Sequence, residues 1–528
     1  MVKRKTTTDA GKATYKLKAV IDLGSTAIRM VVAQIHGDGS IKTLDALSQA
    51  VAIGADTFTR GRISRTTIND SVKALRSFSI VLKEYGIDLG ADVLAVATSA
   101  VREARNRDEF LDRVYMASGI NVQVIEGFEV NRLTFLAIRP VLRANAVLRK
   151  DRLLVAEVGG GSTELLGLDD ARVSFAHTYR MGSFRLRETM DEQQGSEARR
   201  LAVLDAEVEA GVRQCRDAVP RDNSKLALLL MGGEARLAAQ LILKGLNEGS
   251  LAQLKVSDLS KLAEKVLMLD IEQVVRKYRL TLDEAQAFGP ALLTYVKLAT
   301  AFGLKRVYIC GVSLRDGLLT EVAAGGAWTD DFVEQILHSV REVGRRYNLD
   351  QTHADCVTGI ALALFHAMSR EHALGYRHEV ILTVAAQLHD VGMFIGGSSH
   401  HKHSKYIIDN SEIFGLGGED IKLASLVARY HRGALPRASH LDYGTLPREQ
   451  RLVVSKLAAL LRAADAFDRS HTQAIKTVKV AVLDDEVVVA PERPGEYAAE
   501  KRALAAKGKM FEQVYGRTVV LRAKRRQG

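Results

Sequence analysis

A chain of 528 residues is too long for one hydrophobic core, so several domains are expected. With 47% apolar and 26% charged residues it has the composition of a soluble globular protein; no apolar run is long enough to span a bilayer, and the start is basic and polar without a signal-type apolar segment. Three widely separated cysteines (Cys215, Cys310, Cys356) offer neither metal-type nor paired spacing, which fits a reducing cytoplasm, while the net charge of +11 suggests an acidic partner such as a polyanion, nucleic acid or anionic lipid.

In chain order, residues 1–17 are expected to be a disordered basic tail. KAVIDLGSTAIRMVVAQI (18–35) reads as strand, turn, strand, with Asp22 just before the break at Gly24. ADVLAVATSAVREARNRDEFLDRV (91–114) reads as a buried strand, a polar turn at Thr98 and Ser99, and a helix. INVQVIEGFEVNRLTFLAI (120–138) reads as strand, Gly127 turn and helix. The stretch LLVAEVGGGSTELLGLD (153–169) repeats the first hairpin in shape: an apolar run ends in Glu157, three glycines follow, then Ser162, Thr163 and Glu164. Glycines at 159, 160 and 161 are expected to take positive φ, to let a ligand approach the backbone and to cradle phosphate with their N–H groups. The flanking carboxylates suit a hydrated divalent cation that travels with phosphate. VYICGVSLRDGLLTEVA (307–323) reads as a strand, a glycine turn and a helix.

These pieces carry a resemblance. IDLGS (21–25), ATSAVREARN (97–106), EGFEVNRL (126–133), EVGGGSTEL (157–165), YRMGSFRL (179–186) and GVSLRDGLL (311–319) resemble, in order, the exopolyphosphatase/guanosine pentaphosphate phosphohydrolase (Ppx/GppA) family. The resemblance implies an α/β fold of two ribonuclease-H-like domains of the actin/Hsp70/sugar kinase superfamily, at 18–140 and 141–325. It implies phosphate binding in the cleft between them by Gly24, Ser25 and Thr26, by Gly159, Gly160, Gly161, Ser162 and Thr163, and by Gly232 and Gly233. It further implies Mg²⁺ (or Mn²⁺) among Asp22, Glu157 and Glu164, and a glutamate as base. Glu129 and Glu164 are the catalytic candidates, with a hydroxide on the metal as the alternative base.

Several positions depart from the family pattern, the mildest being Glu157 where an Asp is more usual. The family's base glutamate aligns with Val130, which cannot accept a proton, and Glu129, one residue away on the helix, points roughly 100° elsewhere. Thr26 and Ala27 stand where the family has Asn-Ser. Glu234 replaces a hydroxyl residue after Gly232 and Gly233 in LLLMGGEARLAA (228–239), placing a carboxylate where phosphate is expected. Arg102, Arg105, Arg180 and Arg185 are candidate polyanion contacts, since guanidinium pairs well with phosphate oxygens.

From Asp330 the pattern is helical. LHDVG (388–392), HHKHS (400–404), RYHRG (429–433) and LRAADAFDR (461–469) resemble the HD phosphohydrolase domain, placed at 326–474. That resemblance implies a first metal (Mn²⁺, Fe or Zn²⁺) on His353, His389, Asp390 and Asp465, and a second on His401 or His403 with His431. Residues 475–528 read as a small α+β domain: a hairpin at TVKVAVLDDEVVVA (477–490), a helix and a last strand. The expected activity is release of terminal phosphate from inorganic polyphosphate or guanosine pentaphosphate by a cytoplasmic hydrolase. Its partners would be polyphosphate or guanosine penta/tetraphosphate, with no membrane and no specific nucleic acid, and it is expected to be a homodimer. Two other readings are an HD metallophosphohydrolase with a sensor half, and a non-catalytic polyphosphate- or alarmone-binding regulator.

Overall fold

The computed structural model describes residues 15–149, 152–193, 195–219, 225–243, 251–324 and 328–522. Most of the expected basic tail and the terminal Lys524, Arg525 and Arg526 lie outside these residues. The chain forms two compact units, Met1–Ala327 and Trp328–Gly528. Among the described residues no helix is long and apolar enough to cross a membrane.

The first unit holds two sheets. Strands β1 (Tyr15–Leu23), β2 (Ala27–His36), β3 (Ile41–Ala50), β4 (Val93–Ala97) and β5 (Val122–Val124) lie in the order β3-β2-β1-β4-β5. The first three form an antiparallel meander; β4 runs parallel to β1 and β5 parallel to β4. Alternation along β1 explains the layering. Ala19, Ile21 and Leu23 pack with Leu75 and Phe78 of the helix Arg65–Glu84 and Phe110 of the helix Arg107–Ser118. Val20 faces the other way, onto Val96, Leu133 and Leu318. A strand apolar on both faces needs helices on both sides of its sheet.

The second sheet comprises β6 (Arg152–Val158), β7 (Thr163–Asp169), β8 (Arg172–Tyr179), β9 (Leu226–Met231), β10 (Leu251–Lys255) and β11 (Arg306–Cys310), in the order β10-β11-β9-β6-β7-β8. β6 to β8 form a meander, β9 is parallel to β6, and β11 is parallel to β9. The repeat visible in the two hairpins therefore extends to whole sheets, since β8-β7-β6-β9-β11 matches β3-β2-β1-β4-β5. Leu154, Ala156, Leu228, Leu230, Val307 and Ile309 fill the core beneath the helices Glu197–Ala218 and Leu282–Ala301. Residues 140 and 141, where the sequence suggests a domain boundary, lie within the helix Gly127–Ala144. That helix crosses Leu314–Ala323 so closely that a Cβ on Gly317 would stand 2.1 Å from the Leu133 carbonyl oxygen.

In the second unit the helices Asp330–Arg346, Gln351–Ala367, Tyr376–Leu388, His400–Asp409, Gly418–Arg429 and Arg448–Ala466 succeed one another without an intervening strand. A small sheet follows. β12 (Val478–Val482) is antiparallel to β13 (Glu486–Pro491), which is parallel to β14 (Thr518–Leu521). The helices Ala498–Lys507 and Lys509–Tyr515, between β13 and β14, pack on Arg448–Ala466.

One buried phenol ties two strand ends together. Tyr295, fully buried, donates to the Met231 carbonyl at 2.6 Å and accepts from the Val158 N–H at 3.1 Å. It thereby braces the β6 and β9 ends immediately before Gly159 and Gly232. Tyr295→Phe leaves a buried donor and a buried acceptor unmatched and should cost about 1–3 kcal/mol in chemical denaturation, with the slope of the transition unchanged.

Candidate active-site cleft and metal cluster

The β1–β2 and β6–β7 turns meet tip to tip. A Cβ on Gly160 would lie 2.5 Å from Cβ of Ser25, and one on Gly182 would lie 2.4 Å from the Gly160 carbonyl oxygen. This close approach, not backbone conformation, is why glycine occupies the turn. None of Gly24, Gly159, Gly160 and Gly161 has positive φ, contrary to the sequence expectation, whereas Gly232 does, at φ 102°. The amides of Gly24 and Gly159 are also committed inside their own hairpins, donating to Ala27 and Ser162 carbonyls at 3.1 and 2.8 Å.

Around these turns opens a cleft lined by Asp22, Gly24, Ser25, Thr26, Gly159, Gly160, Ser162, Glu157, Glu164, Gly232 and Gly233. Two expected phosphate contacts do not line it. Gly161 is backed by the Phe58 ring, which a Cβ there would meet at 2.2 Å, and the fully buried Thr163 hydroxyl donates to the Met181 carbonyl. Glu129 is absent from the lining as well. The helix Gly127–Ala144 presents Val130 to the cleft, while Glu129 feels the charges of Arg132, Glu321 and Glu126. Neighbouring helical positions diverge by roughly 100°, so the two residues cannot share one task.

The cleft is heavily and oppositely charged. Asp22, Glu157, Glu164 and Glu234 face Arg29, Arg102, Arg236 and Arg315. Burial pushes the Asp22 carboxyl up against the pull of Arg315, 3.7 Å away, and of Arg29. Burial also raises Glu164, opposed by the Ser162 hydroxyl, which donates to it at 2.5 Å. Glu234 is likewise raised by burial. Of the expected arginine contacts, Arg102 reaches the cleft while donating to the Ile125 carbonyl at 2.7 Å. Arg180 and Arg185 both pair with Glu103, and Arg105 packs against Gly61.

Asp22 Oδ1 and Glu157 Oε2 are buried without a hydrogen-bond partner, which fits a cation as their missing neighbour. Asp22, Glu157 and Glu164 do not form a compact three-oxygen cage, however; the triads within 4.8 Å among the described residues all lie in the second unit. That suits Mg²⁺, which keeps several waters and takes one or two carboxylates plus phosphate oxygens.

In the second unit four buried histidines converge on aspartates. His353 Nε2 lies 3.9 Å from both Asp390 and Asp465, and His389 Nε2 lies 3.7 Å from Asp390. His353 Nδ1 is held by Asp468 at 2.8 Å and His389 Nδ1 by the Ala386 carbonyl at 2.7 Å. These outer bonds fix both rings with Nε2 turned inward, and both Nε2 atoms are buried without partners, as metal ligands require. The triads His353–His389–Asp465 and Asp390–His400–His431 each bring their ligand atoms within 4.8 Å. Burial raises the Asp390 carboxyl, but His389, His400 and His431 outweigh it and hold the group well below the usual range. Burial likewise acts against Asp465, yet Lys507 and the histidines keep it at about 2.

The second triad corrects an expectation. His400, not His401 or His403, joins His431, with its Nε2 3.1 Å from Asp390 Oδ1. His401 follows His400 on one helix and turns its ring edge-on to those of His400 and His431, at 6.1 and 6.5 Å between centroids, and neither it nor His403 belongs to a triad. Sequence reasoning also missed Arg29, Arg236 and Arg315. The alternation along β2, where Arg29 is the register partner of Asp22, carried the signal for the first. Asp468 and Lys507 gave no such signal, because burial against His353 and Asp465 is what singles them out, and the exposed His471 is placed only by the stacking of its ring on His353.

Residues 31–324 match the family model for the Ppx/GppA phosphatase family, and residues 337–505 match that for Ppx/GppA phosphatase, domain III. Among solved structures, an exopolyphosphatase from Cytophaga hutchinsonii is 21% identical with a TM-score of 0.52, over 59% of this chain and 98% of that one. An exopolyphosphatase-like protein is 22% identical, also with a TM-score of 0.52, over 58% and 98%. A Ppx/GppA family member from Aquifex aeolicus is 21% identical with a TM-score of 0.49, over 60% and 100%. The first two share their fold with more than half of this chain.

Burial, then the neighbouring Glu164, pushes the Glu157 carboxyl from 4.5 up to about 8. Between those values the folded protein keeps a proton that the unfolded chain has lost, so stability falls as pH rises through this window. Glu157→Gln removes that loss. In chelator-containing buffer its Tm should match the native chain near roughly pH 5 and exceed it increasingly towards about pH 8.

Proposed function

The chain belongs to the Ppx/GppA phosphatase family, and on that premise we propose that it is a cytoplasmic phosphoanhydride hydrolase. It releases terminal phosphate from inorganic polyphosphate, guanosine pentaphosphate or both, at the cleft of the first unit. The observation that carries this reading is the convergence of Arg29, Arg236 and Arg315 on the touching turns at Ser25 and Gly160. A chain of phosphates presents closely spaced anionic oxygens, and guanidinium groups flanked by serine and threonine hydroxyls match them. Ser25, Thr26, Thr98, Ser99, Ser162 and Ser183 supply those hydroxyls.

Asp22 and Glu157 would hold Mg²⁺ or Mn²⁺, which when bound neutralises charge developing on the phosphate oxygens. With Val130 in the base position and Glu129 outside the lining, Glu164 is the carboxylate we assign to the water's proton. Burial raises its affinity for a proton, and the Ser162 hydroxyl fixes its orientation. Arg315 and Arg29 hold Asp22 in place from two sides.

A second reading places the chemistry in the helical unit, and the two inward-facing histidine and aspartate triads favour it. Here the unit is an HD-type metallophosphohydrolase acting on a nucleotide or phosphodiester. His353, His389, Asp390 and Asp465 hold one Mn²⁺, Fe or Zn²⁺ ion, His400 and His431 hold a second with Asp390, and the first unit senses phosphate.

Phosphate release from long-chain polyphosphate in Mg²⁺ or Mn²⁺, compared among the native chain, Glu164→Ala and Asp390→Ala, separates the readings. The lead expects Glu164→Ala to lose at least about 100-fold with Asp390→Ala near native. Loss confined to Asp390→Ala moves the chemistry to the helical unit. No release by any of the three, from polyphosphate or from guanosine pentaphosphate offered in its place, sinks the lead and leaves a binding protein or a different substrate.

A further inference from the structure

The helix Ala498–Lys507 makes a contribution to the histidine cluster that its place in the sequence conceals. Glu500, Leu504 and Lys507 recur at helical spacing and form its inward face. Glu500 accepts from the Ser470 hydroxyl at 2.8 Å, in the segment that carries Asp468 and His471. Asp468 holds His353 Nδ1, and the His471 ring stacks on His353 at 3.7 Å between centroids. Seven residues on, Lys507 pairs with Asp465 Oδ2, while Asp465 Oδ1 faces His353. One aspartate thus spans the two sides, one oxygen towards the cluster and one on a half-buried ammonium.

The ammonium has donors to spare. Lys507 carries three N–H groups, and among the described residues Asp465 is the carboxylate it meets. A second cation is drawn to the same aspartate: Arg462, three residues before Asp465 on the same helix, gives Nη1 to the Gly433 carbonyl at 3.0 Å but has its buried Nε without a partner. Arg432 lies across the cluster, its Nη1 3.3 Å from His400 Nδ1. The buried Arg462 Nε and the spare N–H groups of the half-buried Lys507 call for an oxyanion, because leaving a buried donor unmatched costs its desolvation.

We propose that Lys507 is the phosphate-recognition cation of the helical unit, orienting Asp465 through one N–H and offering the others to a phosphoryl oxygen of a ligand seated on the histidine cluster. The proposal rests on reading that cluster as a metal site. It makes the C-terminal segment a working part of the cluster, and it fixes the ligand class as a phosphate ester or anhydride with an exposed dianionic or monoanionic phosphoryl group.

The test uses the full chain, with Mn²⁺ alone and then inorganic phosphate as probes. Mn²⁺ affinity is read by electron paramagnetic resonance, and phosphate affinity by relaxation of its ³¹P signal by bound Mn²⁺. Binding that persists in Asp390→Ala is assigned to the first unit and subtracted. In Lys507→Met, phosphate affinity at the cluster should fall by about tenfold or more, while Mn²⁺ affinity changes by less than about threefold. Lys507→Arg, which keeps the charge and the fold, should retain phosphate binding to within about threefold. Native phosphate affinity in Lys507→Met overturns the proposal, as does an equal loss of Mn²⁺ and phosphate, which would make Lys507 only a support for Asp465. A native chain with no Asp390-dependent Mn²⁺ site overturns the metal reading itself, an outcome visible before phosphate is added.

Discussion

The first unit depends on two turns that touch with no room for a Cβ between them. Ser25 sits against Gly160 at a distance that any larger residue would violate, and Gly182 is pressed onto the Gly160–Gly161 backbone in the same way. Each turn is anchored in turn by its own sheet: Asp22 and Arg29 are register partners across the first hairpin, Glu157 and Glu164 across the second. Tyr295 fastens the base of the second turn to β9. The duplicated sheet order therefore brings two acidic strand ends and two glycine turns to one place. The cleft is a consequence of that meeting.

Charge is balanced differently in the two units. In the cleft, burial pushes the carboxyls of Asp22, Glu157, Glu164 and Glu234 up, and the arginines oppose it only in part. Carboxyls raised in this way hold protons that a bound cation would displace. In the helical unit Asp390 and Asp465 are held low by the histidines and Lys507 around them. Those carboxylates stay ionised and the facing imidazoles have their outer nitrogens tied, an arrangement suited to holding a metal rather than to exchanging protons. Acids poised by burial and acids held ionised by cations are suited to different chemistry within one chain.

Single-residue offsets on helices had the largest consequences. Val130 and Glu129, and likewise His400 and His401, are neighbours in sequence but face roughly 100° apart. The first offset puts Val130, and not Glu129, in the lining of the cleft. The second brings His400, and not the residue after it, to Asp390 and His431.

The sequence alone determined the two hairpins and the helical character of residues 330–466; the family resemblance pointed to the cleft of the glycine turns and to His353, His389, Asp390, Asp465 and His431, though not to His400. These follow from period-two and helical alternation and from family motifs, all of which are local in the chain. It did not determine why the glycines are there. Positive φ was the local explanation, and steric exclusion across the turns is the actual one. Nor did it reveal Arg236, Arg315, Asp468 or Lys507 as partners of the two sites. Arg315 lies 293 residues from Asp22, Asp468 lies 115 from His353, and Lys507 lies 42 from Asp465. Only burial tells such a residue from a solvated surface charge. Burial depends on what packs against a side chain, and only the folded chain supplies that.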